Sequence, residues 1–124
     1  MSKELTILAV DDDLINLKLL KSMLTKNPNV KEVIEAKNGA DAIGFIKSRN
    51  DIDLVLLDII MPIMNGLEVL RVVRLDDNIK QTPIIVLTTD ETKKTEALEL
   101  GANSFLMKPI RSVELTEKIE SLLV

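Results

Sequence analysis

Short apolar runs alternate along this chain with longer stretches whose apolar residues recur every three or four positions, and that alternation constrains the fold more than any other feature. Strands and helices taking turns predict βαβ units rather than a helix bundle or a β-sandwich. Leu5 to Val10 is the first run. Leu14, Leu17, Leu20 and Leu24 then follow at helical spacing until Asn27-Pro28 stops the helix. A weaker strand from Glu32 to Ala36 leads through Asn38-Gly39 into a helix holding Ala42, Ile43 and Ile46. Leu54 to Leu57 is apolar at every position, which suits a parallel strand covered on both faces. After Asp58, a loop from Ile59 to Gly66 turns into a helix reaching about Arg74. Pro83 introduces a strand from Ile84 to Thr88, followed by a helix from Glu91 to Leu100 with Gly101 as its C-terminal cap. Ser104 to Met107 reads as the last strand. The final helix sets Val113, Leu115, Ile119 and Leu122 on one face and Glu117, Lys118 and Glu120 on the other. Strict alternation of five strands with five helices implies an α/β, doubly wound parallel sheet. Without linkers or repeats, residues 1–124 form one domain, long enough to bury a core unaided.

In open parallel sheets, ligands bind outside the carboxyl ends of the strands. The first strand ends in Asp11-Asp12-Asp13, the third in Asp58, the fourth in Thr88-Thr89-Asp90 and the fifth in Lys108. Each has an ordinary explanation when taken singly. An acidic triplet can be a solvated loop, and Asp13 is placed to cap the helix that follows. Thr88 suits any strand end, and a lone Lys108 is usually solvent-exposed. Asp58 resists this treatment because its apolar neighbours make ionisation costly. Convergence of all four on one edge is harder still to dismiss.

Two carboxylates about 5 Å apart repel by about 3 kcal/mol at an effective dielectric of ~20, so the cluster must hold protons or a cation. Oxygen donors without His or Cys favour Mg²⁺, with Mn²⁺ an alternative. A cation, a lysine ammonium and a threonine hydroxyl around one carboxylate make a site for a phosphoryl group. Neither a Walker A pattern nor G-x-G-x-x-G occurs, so no glycine-rich loop cradles the phosphate.

Composition removes other chemistries. With no His and no Cys, the chain can build neither a Ser-His-Asp or Cys-His dyad, nor a Cys/His zinc site, nor a disulfide framework. No Trp, no Tyr and two Phe leave almost no stacking platform for single strands, and a net charge of −4 disfavours nucleic acid or an anionic membrane as partner. No apolar run reaches the length of a membrane span or a secretory signal, so a cytoplasmic location is expected.

Asp11-Asp12, Asp58 within LVLLDIIMPIMNG, Thr88, and Lys108-Pro109 within GANSFLMKPI together resemble the receiver domain of two-component response regulators, in particular the single-domain chemotaxis type. The resemblance runs from Ile7 to about Leu123. It implies a flavodoxin-like sheet of order 2-1-3-4-5 and a phosphoacceptor switch that assists its own phosphorylation and dephosphorylation rather than an enzyme. Asp58 would accept the phosphoryl group from a partner histidine kinase or histidine phosphotransfer protein. Asp12 would ligate Mg²⁺ directly, with Asp11 helping, Asp58 sharing the ion, and the backbone carbonyl of Ile60 completing the protein ligands. Lys108 and Thr88 would contact phosphoryl oxygens, and a cis peptide would join Lys108 to Pro109. Thr88 moving inward would make room for Phe105, the counterpart of the family's switch aromatic. The altered surface would be helix four, strand five and helix five, facing a downstream protein target.

Some positions depart from the family's common pattern. Ile60 is apolar and Asp90 short and acidic where such residues tune access of hydrolytic water, so slow autodephosphorylation is expected. GANSF lacks the acidic pair of the DNA-binding subfamily's charged dimer face, and a monomer or weak dimer is expected. The competing enzyme reading is an aspartate-nucleophile phosphatase of the haloacid-dehalogenase kind, which needs an Asp where Ile60 stands. A flavin electron carrier lacks aromatic flanks here, and a receiver without phosphorylation would have no use for the complete acceptor constellation. A stand-alone regulator is favoured over an excised domain, the chain stopping where the fifth helix should end.

Overall fold

The computed structural model describes residues 4–123. Five parallel strands, β1 (Leu5–Val10), β2 (Val30–Ala36), β3 (Leu54–Asp58), β4 (Ile84–Thr88) and β5 (Ser104–Met107), form one sheet in the order β2-β1-β3-β4-β5. Five α-helices connect or follow them: α1 (Leu14–Thr25), α2 (Gly39–Ser48), α3 (Gly66–Leu75), α4 (Lys94–Glu99) and α5 (Ser112–Leu123). Both the doubly wound class and the 2-1-3-4-5 order are as expected.

Every residue of β1, β3 and β4 is buried, because helices cover the sheet on both sides. Alternate side chains feed two separate cores. Leu8, Val10, Val55, Leu57, Ile84 and Val86 point to the layer of α2, α3 and α4, where Val69, Leu70, Val73 and Ala97 meet them. Ile7, Ala9, Leu54, Leu56, Ile85 and Leu87 point to the opposite layer, closed by Leu17, Leu20 and Leu24 of α1 and Leu115 and Ile119 of α5.

Local chemistry sets the boundaries. The side chain of Asp13 accepts the N–H of Ile15 and caps α1, as expected. Asn65 and Glu68 form a reciprocal capping box at α3. The stretch from Glu91 opens instead as a 3₁₀ turn (Glu91–Lys93) capped by Asp90, leaving α4 only six residues and no side-chain cap of its own. The second strand starts two residues earlier than its sequence suggested, since Leu5 pairs with Val30 across a register shift. The α5 face also needs correction: Val113 is exposed, and Leu115, Ile119 and the half-buried Leu122 carry the packing.

Among the glycines of the described residues only Gly101, just past the end of α4, has a positive φ, at 106°. Gly66 is required for close approach instead, since a Cβ there would lie 2.3 Å from the carbonyl oxygen of Asp58. Gly44, inside α2, has neither reason, because a Cβ there meets nothing within 4 Å. Gly44→Ala is therefore expected to stabilise the fold by about 0.5–1 kcal/mol, seen as a raised thermal midpoint.

Arg74, which the sequence reading left without a role, ties one end of the sheet together. Its half-buried guanidinium donates to the carbonyl oxygens of Gly101, Lys80 and Thr82 and to Oδ1 of Asn103. Asn103 Oδ1 also accepts the N–H of Ile84, so this knot holds the amino ends of both β4 and β5.

Candidate functional site

Of the four buried polar side chains among the described residues, three are Asp11, Asp58 and Thr88, all at the carboxyl edge of the sheet. β1 and β3 are neighbours, so their ends bring Asp11 and Asp58 side by side at the point where strand order reverses. A cleft of about 350 Å³ opens there, lined by Asp11, Asp12, Asp13, Asn16, Asp58, Ile60, Thr89 and Lys108.

Lys108 arrives from the end of β5 and binds both carboxylates. Its Nζ lies 3.0 Å from Asp11 Oδ2 and 3.1 Å from Asp58 Oδ1. The other Asp11 oxygen accepts the N–H of Asp13 at 2.9 Å, which fixes the carboxylate against the start of α1. Burial pushes the Asp58 carboxyl above its ordinary value, the Lys108 hydrogen bond opposes this, and the nearby Asp11 charge adds to the rise. For Lys108, burial works against the charged form, but the hydrogen bonds to Asp11 and Asp58 prevail and raise it. The peptide bond between Lys108 and Pro109 is cis, as the resemblance implied.

Asp11, Asp12 and Asp58 each offer a carboxylate oxygen, all within 4.8 Å of one another. Opposite ligands of an octahedral Mg²⁺ are about 4.2 Å apart, so small side-chain adjustments suffice, and the donors are the hard oxygens this ion selects. The residues present fit such an ion, with Asp11 and Asp58 buried and Asp12 exposed to solvent.

Not every expected site residue meets in the cleft. Thr88 is fully buried behind it, while Thr89 reaches its wall. The Thr88 hydroxyl oxygen accepts the N–H of Asp90 at 3.1 Å, leaving its own hydrogen free to donate. Asp90 in turn accepts from both the N–H and the hydroxyl of Thr92, which hold its carboxyl below the ordinary range. Phe105 lies away from the cleft, half-buried against the α2–α4 core. The sequence reading did not anticipate Thr89 in the cleft wall, since one Thr in Thr88-Thr89 must face in and its neighbour out.

The fold and the acidic cleft with its lysine together define a receiver-type phosphoacceptor class. Sequence comparison agrees: residues 7–120 match the response regulator receiver domain family, and this chain belongs to it. A chemotaxis protein CheY homolog of Campylobacter jejuni is 34% identical over 119 residues, covering 94% of this chain and 91% of that protein. The high-resolution structure of the chemotaxis response regulator CheY4 of Vibrio cholerae superposes with a TM-score of 0.87 at 30% identity, covering 98% of this chain and 100% of that one. The receiver domain of the sensor histidine kinase PA1611 of Pseudomonas aeruginosa, solved with magnesium coordinated in its active-site cleft, gives a TM-score of 0.86 at 26% identity, covering 96% and 97%. Among the described residues no helix is long and apolar enough to cross a membrane.

Proposed function

We propose that this chain is a Mg²⁺-dependent phosphoacceptor switch in which Asp58 receives a phosphoryl group from a phosphohistidine on a partner histidine kinase or phosphotransfer protein. The observation that carries the reading is the buried carboxylate of Asp58 held 3.1 Å from the Lys108 ammonium beside two further acidic side chains. An oxygen of ionised Asp58 attacks phosphorus, a P–O bond forms, and the P–N bond breaks with its electron pair leaving on the imidazole, which takes up a proton. These 124 residues contain no His to carry the donor group, so it comes from outside them. A small acyl phosphate can serve the same purpose. Asp11, Asp12, Asp58 and the backbone carbonyl of Ile60 would hold Mg²⁺, which would supply charge neutralisation for the transferring oxygens.

The protein's own groups position the reaction. Asp13 N–H fixes Asp11, Asp11 and Asp58 fix Lys108, and the ammonium of Lys108 is thereby placed to pair with a phosphoryl oxygen. Thr88 has a hydroxyl hydrogen to donate, and drawing it toward the new phosphoryl group frees space beside Phe105. The response is a population shift of α4, β5 and α5, the surface offered to a downstream protein. Incubation with Mg²⁺ and acetyl phosphate is expected to add one phosphoryl group, read by intact mass. Repeated turnover of small phosphate esters would instead favour the phosphatase reading, which lacks its general acid because Ile60 stands at that position.

Ile60 lies at the mouth of the cleft, 61% exposed, with its backbone N–H hydrogen-bonded to Asp58. An apolar side chain there cannot orient a water toward the acyl phosphate. Ile60→Asn is expected to shorten the phosphoryl lifetime several-fold, measured as decay of the phosphorylated mass after removal of donor; an unchanged or longer lifetime would count against this.

A further inference from the structure

The acceptor cleft continues beyond Asp11 and Lys108. A second cavity, of about 390 Å³, adjoins it in the layer of α1 and α5, and Asp11, Asn16, Thr89 and Lys108 line both. Away from these four the walls are apolar: Leu19, Leu20 and Met23 of α1, Leu87 of β4, and Ile110 in the segment between β5 and α5. Asn16, Leu19, Leu20 and Met23 fall at helical spacings of three and four. They form one stripe of α1 about 10 Å long, polar at the cleft end and apolar beyond it.

These apolar walls take no part in the acceptor chemistry. A cavity of this size, apolar except for a few polar groups gathered at one end, has the form of a small-molecule site. Its polar end selects the head of the ligand, because the Lys108 ammonium is placed for a phosphoryl oxygen beside the Asp58 carboxylate. The Asn16 side chain is half-buried and bonds no other protein group among the described residues, so its amide is available to an acyl carbonyl oxygen. The apolar end selects a hydrocarbon tail.

Resting on the acceptor reading, we propose that this cavity is an acyl-chain subsite, and that among small-molecule donors the chain prefers acyl phosphates with an apolar chain longer than that of acetyl phosphate. An oxygen of ionised Asp58 attacks phosphorus and a P–O bond forms. The bond from phosphorus to the acyl oxygen breaks with its electron pair, the free carboxylate leaves along the cavity, and no proton moves. Acetyl and butyryl phosphate release carboxylates of nearly equal basicity, so the length of the chain is what distinguishes them. The test measures uptake by intact mass, at low donor concentration with Mg²⁺, for wild type, Met23→Gln and Met23→Phe. Gln makes the apolar end polar at nearly the same shape, and Phe fills it. A buried methylene is worth a factor of about four, so butyryl phosphate is expected to react roughly fivefold or more faster than acetyl phosphate with wild type, and less than about twofold faster with either variant. The readout is a ratio within one protein, so a smaller folded fraction lowers both rates and leaves it unchanged. A wild-type ratio near one would overturn the subsite while leaving Asp58 as the acceptor. So would a high ratio that persists in both variants. Failure of wild type to take phosphate from either donor would remove the acceptor reading and the subsite with it.

Discussion

Asp58→Asn is expected to take up no phosphoryl group from acetyl phosphate and Mg²⁺ under conditions where the wild-type chain takes up one. An amide keeps the shape of the side chain but loses the anionic nucleophile. Asp11, also buried and 3.0 Å from Lys108 Nζ, is the nearest rival. Phosphorylation surviving in Asp58→Asn would reassign the acceptor.

The same substitution has a second, opposite effect. Desolvation raises the Asp58 carboxyl above its ordinary value of 3.8 in the folded state. The folded chain thus holds this proton more tightly than the unfolded one, so stability falls as pH rises from about 3.8 through the raised value and stays lower beyond it. In metal-free buffer at neutral pH, Asp58→Asn is expected to melt at a higher temperature than wild type, with the difference narrowing toward the acid end. Mg²⁺ is expected to stabilise wild type more than the variant, because it binds the folded state through the carboxylate removed. Lys108 adds a loss of stability of its own only at alkaline pH, as the pH climbs through its raised value above 10.5.

Gly66→Ala is expected to be the most damaging small substitution. Its new methyl group would lie 2.3 Å from the Asp58 carbonyl oxygen and 2.9 Å from both the Asp58 carbonyl carbon and Ile59 Cα. These are backbone atoms at the end of the strand that carries Asp58, so relief requires moving either β3 or the start of α3. Overpacking against backbone of this kind costs about 3 kcal/mol, which for a domain of this size lowers the melting temperature by on the order of 10 °C. Displacement of Asp58 from Lys108 should also slow uptake of phosphate from acetyl phosphate in whatever fraction remains folded at low temperature. A melting temperature within two or three degrees of wild type would show that the loop yields more easily than its packing indicates.

The fold was legible because its determinants are local and periodic. Leu54 to Leu57 could be read as a covered parallel strand from residue type alone, and the strand ends named Asp11, Asp58 and Lys108 before any geometry was available. Contacts that depend on chain geometry rather than pattern were not legible. Arg74 looks like any basic residue near a helix end, and only the meeting of the turns before β4 and β5 gives it four acceptors. Val113 fits a helical stripe, yet it is exposed, and the packing of α5 begins at Leu115. Gly66 was attributable to a turn from sequence, whereas the need is steric, set by the proximity of the β3 backbone. The inward and outward assignments of Thr88 and Thr89 likewise follow from the pleat once β4 is placed.

The Arg74 knot divides the last two strands into an anchored end and a working end. It fastens β4 and β5 at their amino ends, and through Gly101 it also grips the far end of α4, while Thr88 and Lys108 occupy the opposite ends. A displacement of Thr88 or Lys108 is therefore expected to be taken up at the carboxyl edge and in the segment that follows β4, where α4 has no side-chain cap of its own and is entered through a 3₁₀ turn.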